Sequence, residues 1–203
     1  MARKLRWLSP IIEERLKVYP FNSRTIQIDE SFSIEHTKLK PLSIALAVSS
    51  EYQIVSVQVG KIPASGYLSE ISRKKYGERI SERPLILEKL FLDLKQKLHH
   101  EAPEFVSDED TLYPKFINKY FPNSVHTTVS SKTQIAKKKE LLYTAEQKKV
   151  FDPMFALNHT AGVFRDHIKR LARRNWCTTK KPENLEKALR MYQAFALGLL
   201  TKI

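Results

Sequence analysis

Between Thr25 and Val59 the apolar residues recur with a period of two; beyond Pro84 they recur with a period near 3.6. That change of period constrains the fold more than any other feature of the chain. Thr25–Asp29 alternates around Ile26 and Ile28, Leu42–Val48 is an apolar, partly β-branched run, and Ile54–Val59 alternates again. Lys40-Pro41 and Ser49-Ser50-Glu51 supply turn chemistry between these runs, so the spacing predicts an antiparallel meander of three strands.

Residues 60–82 are polar and basic, and read as a connection carrying one short helix. Pro84 then opens a helix with Leu87, Leu90, Phe91, Leu94 and Leu98 in one stripe. Glu104–Ser107 reads as a short strand delivering Asp108, Thr111–Phe121 as a short helix and Val125–Val129 as a fifth strand. Residues 130–150 are lysine-rich and are expected to form a mobile basic loop. Asp152-Pro153 offers an N-cap with proline at the first helical position. The helix it predicts runs to about Arg174 on a stripe of Met154, Leu157, Ala161, Phe164, Ile168 and Leu171. A helix from Glu183 to about Leu200 follows, and a short basic helix, Pro10–Val18, precedes the strands. The order β-β-β-α-β-α-β-α plus a C-terminal helix predicts a mixed α/β chain with a central sheet. It is also the element order of RNase H-like proteins.

The 203 residues carry 35 Lys+Arg against 22 Asp+Glu, a net charge of +13, with a pI near 9.7. A polyanionic partner is expected, nucleic acid first and an anionic membrane surface second. The 5 glycines form neither G-x-G-x-x-G nor G-K-[ST], which argues against a dinucleotide fold or a P-loop hydrolase. One cysteine, Cys177, excludes an intramolecular disulfide and a multi-cysteine zinc site. No apolar run approaches the roughly 20 residues that span a bilayer, and no secretory h-region follows the basic N-terminus. A soluble, intracellular protein with no membrane partner is the expectation.

Asp29 ends the first strand and Asp108 follows the fourth, so one sheet edge could present both carboxylates. Two adjacent carboxylates repel and call for a cation between them. Mg²⁺ (or Mn²⁺) takes oxygen ligands, keeps waters and needs only one or two carboxylates. Paired ions at a phosphodiester can activate an attacking oxygen and stabilise a leaving one. The alternative is that both acids are solvated strand-end residues. Asn158 lies on the helix near the edge of its apolar stripe, as a weaker oxygen donor or as a core hydrogen-bonding group. Arg165 is two turns on, with Lys169 after it. Lys169, Arg170, Arg173, Arg174, Lys180 and Lys181, with Trp176 and two threonines among them, are a candidate phosphate grip or a solvated cationic face. His36, His99, His100, His126 and His159 show no metal-ligand spacing, and Cys177 has no partner base.

Longer segments carry a resemblance. Gln27-Ile28-Asp29-Glu30 with His36–Ile44, Ser107-Asp108-Glu109 with Tyr113-Pro114 and Tyr120-Phe121-Pro122, and above all Phe151–Thr160 continuing through Arg165 and Ile168–Leu171 to Trp176–Lys180, resemble bacterial insertion-sequence transposases of the DDE class. The resemblance spans roughly residues 24–190. It implies an RNase H-like catalytic core with Asp29, Asp108 and Asn158 as catalytic metal ligands for Mg²⁺ or Mn²⁺. Most DDE enzymes have Glu at the third position; relatives in this group carry Asn. Arg165 falls where such enzymes often have a basic helper. The implied partners are transposon-end and target DNA, bound by a homo-oligomer. The implied chemistry is hydrolysis at the transposon ends, then attack of the freed 3′-OH on target DNA. Such relatives usually begin with a cysteine zinc ribbon and a helix-turn-helix, which this sequence lacks, so a catalytic fragment or a decayed copy is expected. The expected organisation is a basic segment (1–22), the core (23–176) and a helical extension (177–203). A related RNase H-like nuclease and an inactive DNA-binding remnant are the alternatives.

Overall fold

The computed structural model describes residues 2–100, 102–130, 152–171, 179 and 181–200. Its centre is a five-stranded sheet in the order β3-β2-β1-β4-β5: β1 Thr25–Ile34, β2 Pro41–Ser49, β3 Ile54–Lys61, β4 Glu104–Ser107 and β5 Val125–Thr128. β1–β2 and β2–β3 pair antiparallel; β1–β4 and β4–β5 pair parallel. This is the expected α/β, RNase H-like sheet. Short turns suffice for the meander, whereas each parallel neighbour needs a crossover, which the helices supply.

β2 and β3 are buried on both faces, which explains why β2 reads as a continuous apolar run rather than an alternation. One face packs on α3 (Arg83–Lys97) and α4 (Leu112–Tyr120) through Ile26, Ile28, Ala45 and Ala47. The other packs on α5 (Phe155–His167) and α6 (Pro182–Ala196) through Leu42, Ile44, Leu46, Val57 and Val59. Small residues on the first face let α3 come close. A Cβ on Gly60 would lie 2.6 Å from Ile86 Cγ2, so any larger residue there would push α3 off β3. The stripe predicted for α3 is buried throughout, as are Met154, Leu157, Ala161, Phe164 and Ile168 of the later helix; Leu171 is partly buried.

The outer edge of β3 is closed by side chains. Gln193 Nε2 donates to the Ile54 and Val55 carbonyls at 2.8 and 2.9 Å, Lys97 Nζ donates to Val55 O at 3.0 Å, and Glu186 accepts from Val59 N–H at 3.2 Å. Backbone groups that would otherwise invite another strand are thereby used. α1 (Ala2–Lys17) packs Ile12 and Leu16 against Ala194 of α6.

Three boundaries differ from the sequence reading. α1 begins at Ala2, with Pro10 inside it, because tertiary packing on α6 outweighs the proline's missing donor. The connection 60–82 does contain one helix, α2 (Leu68–Tyr76). The long helix starts at Phe155 rather than Pro153, and ends at His167 rather than Arg174; Ile168 is extended and Lys169–Leu171 forms a 3-10 turn. Asp152 still serves the helix start, but from a turn: its Oδ1 accepts Met154 N–H at 3.0 Å. The basic loop predicted at 130–150 lies, from 131 onward, outside the described residues, as do Arg173, Arg174, Trp176, Cys177 and Lys180.

Candidate active site at the β1–β4 edge

The parallel register runs Gln27↔Val106 and Ile28↔Ser107, so Asp29 and Asp108 are the next residues on neighbouring strands. Strand alternation sets their face. Ile28 and Phe105 belong to the α3 side, whereas Gln27 bonds to α5 and Val106 packs with the α5 cluster. Asp29 follows Gln27 by two residues, and Asp108 follows Val106 by two. The two predicted acids are therefore brought together, and both line a cavity of about 530 Å³ with Phe32, Arg83, Asp110 and Tyr113.

Asp29 is half-buried, and its Oδ1 accepts Glu30 N–H at 2.6 Å. Burial pushes its pKa up to about 6; the backbone hydrogen bond opposes this, and the charges of Asp108, Glu30 and Asp110 add to it. Asp108 is fixed by accepting Asp110 N–H at 3.1 Å, while Ser107 Oγ donates to the Asp108 carbonyl at 2.8 Å and shares a 2.9 Å hydrogen bond with His126. Among the described residues no ion pair reaches Asp29 or Asp108.

The neighbouring acids are handled differently. Arg83 Nε donates to both oxygens of Glu30, at 3.1 and 2.8 Å, and its Nη2 bridges Glu30 to Asp110, 2.8 Å away on the Asp110 side. Glu30 also accepts from Ser43 Oγ. Burial would raise Asp110, but hydrogen bonds from Arg83 and Leu112 N–H and the Arg83 charge hold it below the usual carboxylate range. Hydrogen bonding to Glu30 raises the Arg83 pKa further. Tyr113, buried beneath the cluster, keeps its proton: burial first, then Glu30, Asp29 and Asp108, push its pKa up.

Asn158 stands on the first turns of α5 and lines a second cavity, about 350 Å³, together with Asp29, Phe32 and Arg165. Asp29 thus belongs to both cavities, with Asp108 on one side and Asn158 and Arg165 on the other. Asn158 is exposed, and its Nδ2 donates to Asp152 Oδ2 at 2.8 Å, so it is not a core hydrogen-bonding group. Its position is set by Gln27, which the sequence reading passed over. Gln27 Nε2 donates to Pro153 O, and its Oε1 accepts Leu157 N–H, both at 2.8 Å. The buried amide caps an orphan N–H of the first turn and ties α5 to β1 two residues from Asp29. A polar residue between Ile26 and Ile28 was the available signal. Arg83 was also missed; a cation in the first turn of a helix opposes the dipole and needs acidic partners.

Arg165 is half-buried at the second cavity, Lys169 is exposed in the 3-10 turn, Arg170 is half-buried and Lys181 is exposed at the start of α6. His159 packs edge-on against Tyr52 and beside Phe155, away from any ligand set.

Among the described residues, no group of three or more His, Cys, Asp or Glu side chains could hold a metal ion. Two carboxylates outside any ion pair among the described residues, with an amide oxygen near one of them, are donors of the kind a hard, partly hydrated ion takes. The donors fit Mg²⁺ or Mn²⁺ and not a soft metal. No helix of the described residues is long and apolar enough to cross a membrane.

No family model matches the chain, and no curated protein does. Among solved structures it is similar to the catalytic core domain of HTLV-2 integrase, solved in complex with magnesium in a dimeric form. The identity is 13%, covering 72% of this chain and 87% of that one, with a TM-score of 0.29. At that score the overlay carries no argument, and the fold assignment rests on the strand order and directions.

Proposed function

We propose that the chain is the catalytic core of a metal-dependent DNA transposase of the DDE class, with Asp29, Asp108 and Asn158 at its centre. The observation that carries this is the contrast within the acidic cluster: Glu30 and Asp110 are both ion-paired with Arg83, while Asp29 and Asp108, one strand apart on the same cavity, take part in no ion pair among the described residues. Uncompensated carboxylates are costly for a fold to keep, and a bound divalent ion removes that cost.

Asp29 and Asp108 would hold Mg²⁺ or Mn²⁺, with Asn158 as a third oxygen donor. The ion supplies Lewis acidity at a phosphodiester and a more acidic bound water or 3′-OH. The protein's part is placement. Arg165 shares the Asp29–Asn158 cavity and is set to hold a DNA phosphate there. Lys169, Arg170 and Lys181, with Arg173, Arg174 and Lys180 from outside the described residues, extend that grip along the backbone of transposon-end and target DNA. Residues 23–176 form the core in this reading, with 1–22 and 177–203 as flanking segments, and the working unit on DNA is a homo-oligomer.

The test uses the full chain with Mg²⁺ or Mn²⁺ and DNA carrying candidate terminal repeats. Nicking and joining are expected, and Asp29→Ala or Asp108→Ala should each lower the rate on the order of 10³-fold, the loss of several kcal/mol of transition-state stabilisation. Cleavage of duplex, branched or hybrid substrates without any joining would replace the transposase reading by a nuclease. Full activity in either variant removes the site.

A further inference from the structure

We infer that Asp152 is a positioning residue that fixes which atom Asn158 offers to the cation; this deepens the metal-site reading above and rests on it. Asn158 Nδ2 donates to Asp152 Oδ2 at 2.8 Å, so the amide nitrogen is the atom that Asp152 takes up. With Nδ2 committed, Oδ1 is the atom left for the cavity that Asn158 lines with Asp29. A free asparagine would present nitrogen as readily as oxygen, and a nitrogen-first amide repels a cation.

The arrangement also addresses the weakness of an amide as a ligand. A hydrogen bond from Nδ2 to a charged acceptor draws electron density toward Oδ1 and strengthens it as a donor, as outer partners do for ligating histidines and carboxylates. The geometry of the Asp152–Asn158 pair is preset: Asp152 Oδ1 is held by Met154 N–H at 3.0 Å, and Gln27 anchors the same turn to β1. One carboxylate thus closes the turn ahead of the helix with one oxygen and orients the ligand with the other.

Mn²⁺ binding to the full chain, followed by calorimetry without DNA, separates the possibilities. Asparagine caps helices as well as aspartate, so Asp152→Asn should leave the melting temperature of the metal-free chain nearly unchanged while weakening Mn²⁺ about tenfold. Asp152→Ser, which keeps a capping oxygen but has no second one for the amide, should show the same loss, and it stands in if the first variant folds poorly. Exchanging the pair, Asp152→Asn with Asn158→Asp, reverses the hydrogen bond and should restore affinity to at least the native value. Native affinity in both single variants, or no recovery in the exchange, overturns the inference while leaving Asp29 and Asp108 standing. If Asp29→Asn and Asp108→Asn leave Mn²⁺ binding intact, the metal site itself falls and this inference falls with it.

Discussion

Two pairs of acids occupy one end of the sheet, and the protein treats them in opposite ways. Glu30 and Asp110 share Arg83, and the side chain of Glu30 is only 3% exposed. Asp29 and Asp108, each within two residues of that triad, take part in no ion pair among the described residues. Strand alternation produces the division: Glu30 turns toward α3, where Arg83 waits, and Asp29 turns toward α5. Two acids are paired by the fold; the other two are not. Proximity in sequence therefore says little about role here, whereas the face of the strand says a great deal.

The largest effect is expected where the paired acids lose their partner. Arg83→Met leaves a buried Glu30 and a half-buried Asp110 uncompensated and should cost about 3–5 kcal/mol of stability. For a chain of this size that is a drop on the order of 10 °C in melting temperature. Adding Glu30→Gln should recover part of it. A variant that melts at the native temperature would mean that Arg83 does not define the structural pair, and the contrast would dissolve.

The unpaired acids should respond with the opposite sign. The folded-state pKa of Asp29 lies at about 6, above its usual 3.8, so the folded chain holds that proton more tightly than the unfolded one. The associated stability is present at low pH and is lost as pH rises through the interval between those values. Asp29→Asn cannot ionise. In metal-free buffer at pH 8 it should be more stable than the native chain by about 2 kcal/mol, with the advantage fading below pH 4. Mg²⁺ should stabilise the native chain and leave the variant unmoved. An equal or lower melting temperature for the variant at pH 8 would show that Asp29 is not held at a cost.

Much of this architecture was legible in the sequence, for physical reasons. The three-strand meander announces itself through its period, and α3 and the buried stripe of α5 through theirs. Asp29 and Asp108 could be placed at one sheet edge from pattern, and their shared face followed once the register was known; Asn158 was singled out through the resemblance. What stayed hidden depends on long-range interactions. Gln27 reaches across 126 to 130 residues to cap α5, and Arg83 meets Glu30 from 53 residues away. The early start of α1 depends on α6 at the far end of the chain. Local propensity placed a break at Pro10 because it has no knowledge of that packing.

The smallest expected effect concerns the exposed cations of the 3-10 turn and of the start of α6. Lys169 and Lys181 are exposed, and no ion pair of the described residues engages them. If they hold phosphates, removing both should weaken DNA binding about equally for every sequence. It should also reduce the slope of log K against log salt by roughly 0.9 for each phosphate no longer neutralised. Charge elsewhere on this basic chain cannot mimic that result, because a general weakening of the positive field shifts affinity without changing how many phosphates are neutralised. Measured by fluorescence anisotropy across a salt series, Lys169→Ala with Lys181→Ala should lower the slope by about two. An unchanged slope would place the DNA path elsewhere, away from the α5 side, and would separate the nucleic-acid grip from the cavity shared by Asp29, Asn158 and Arg165.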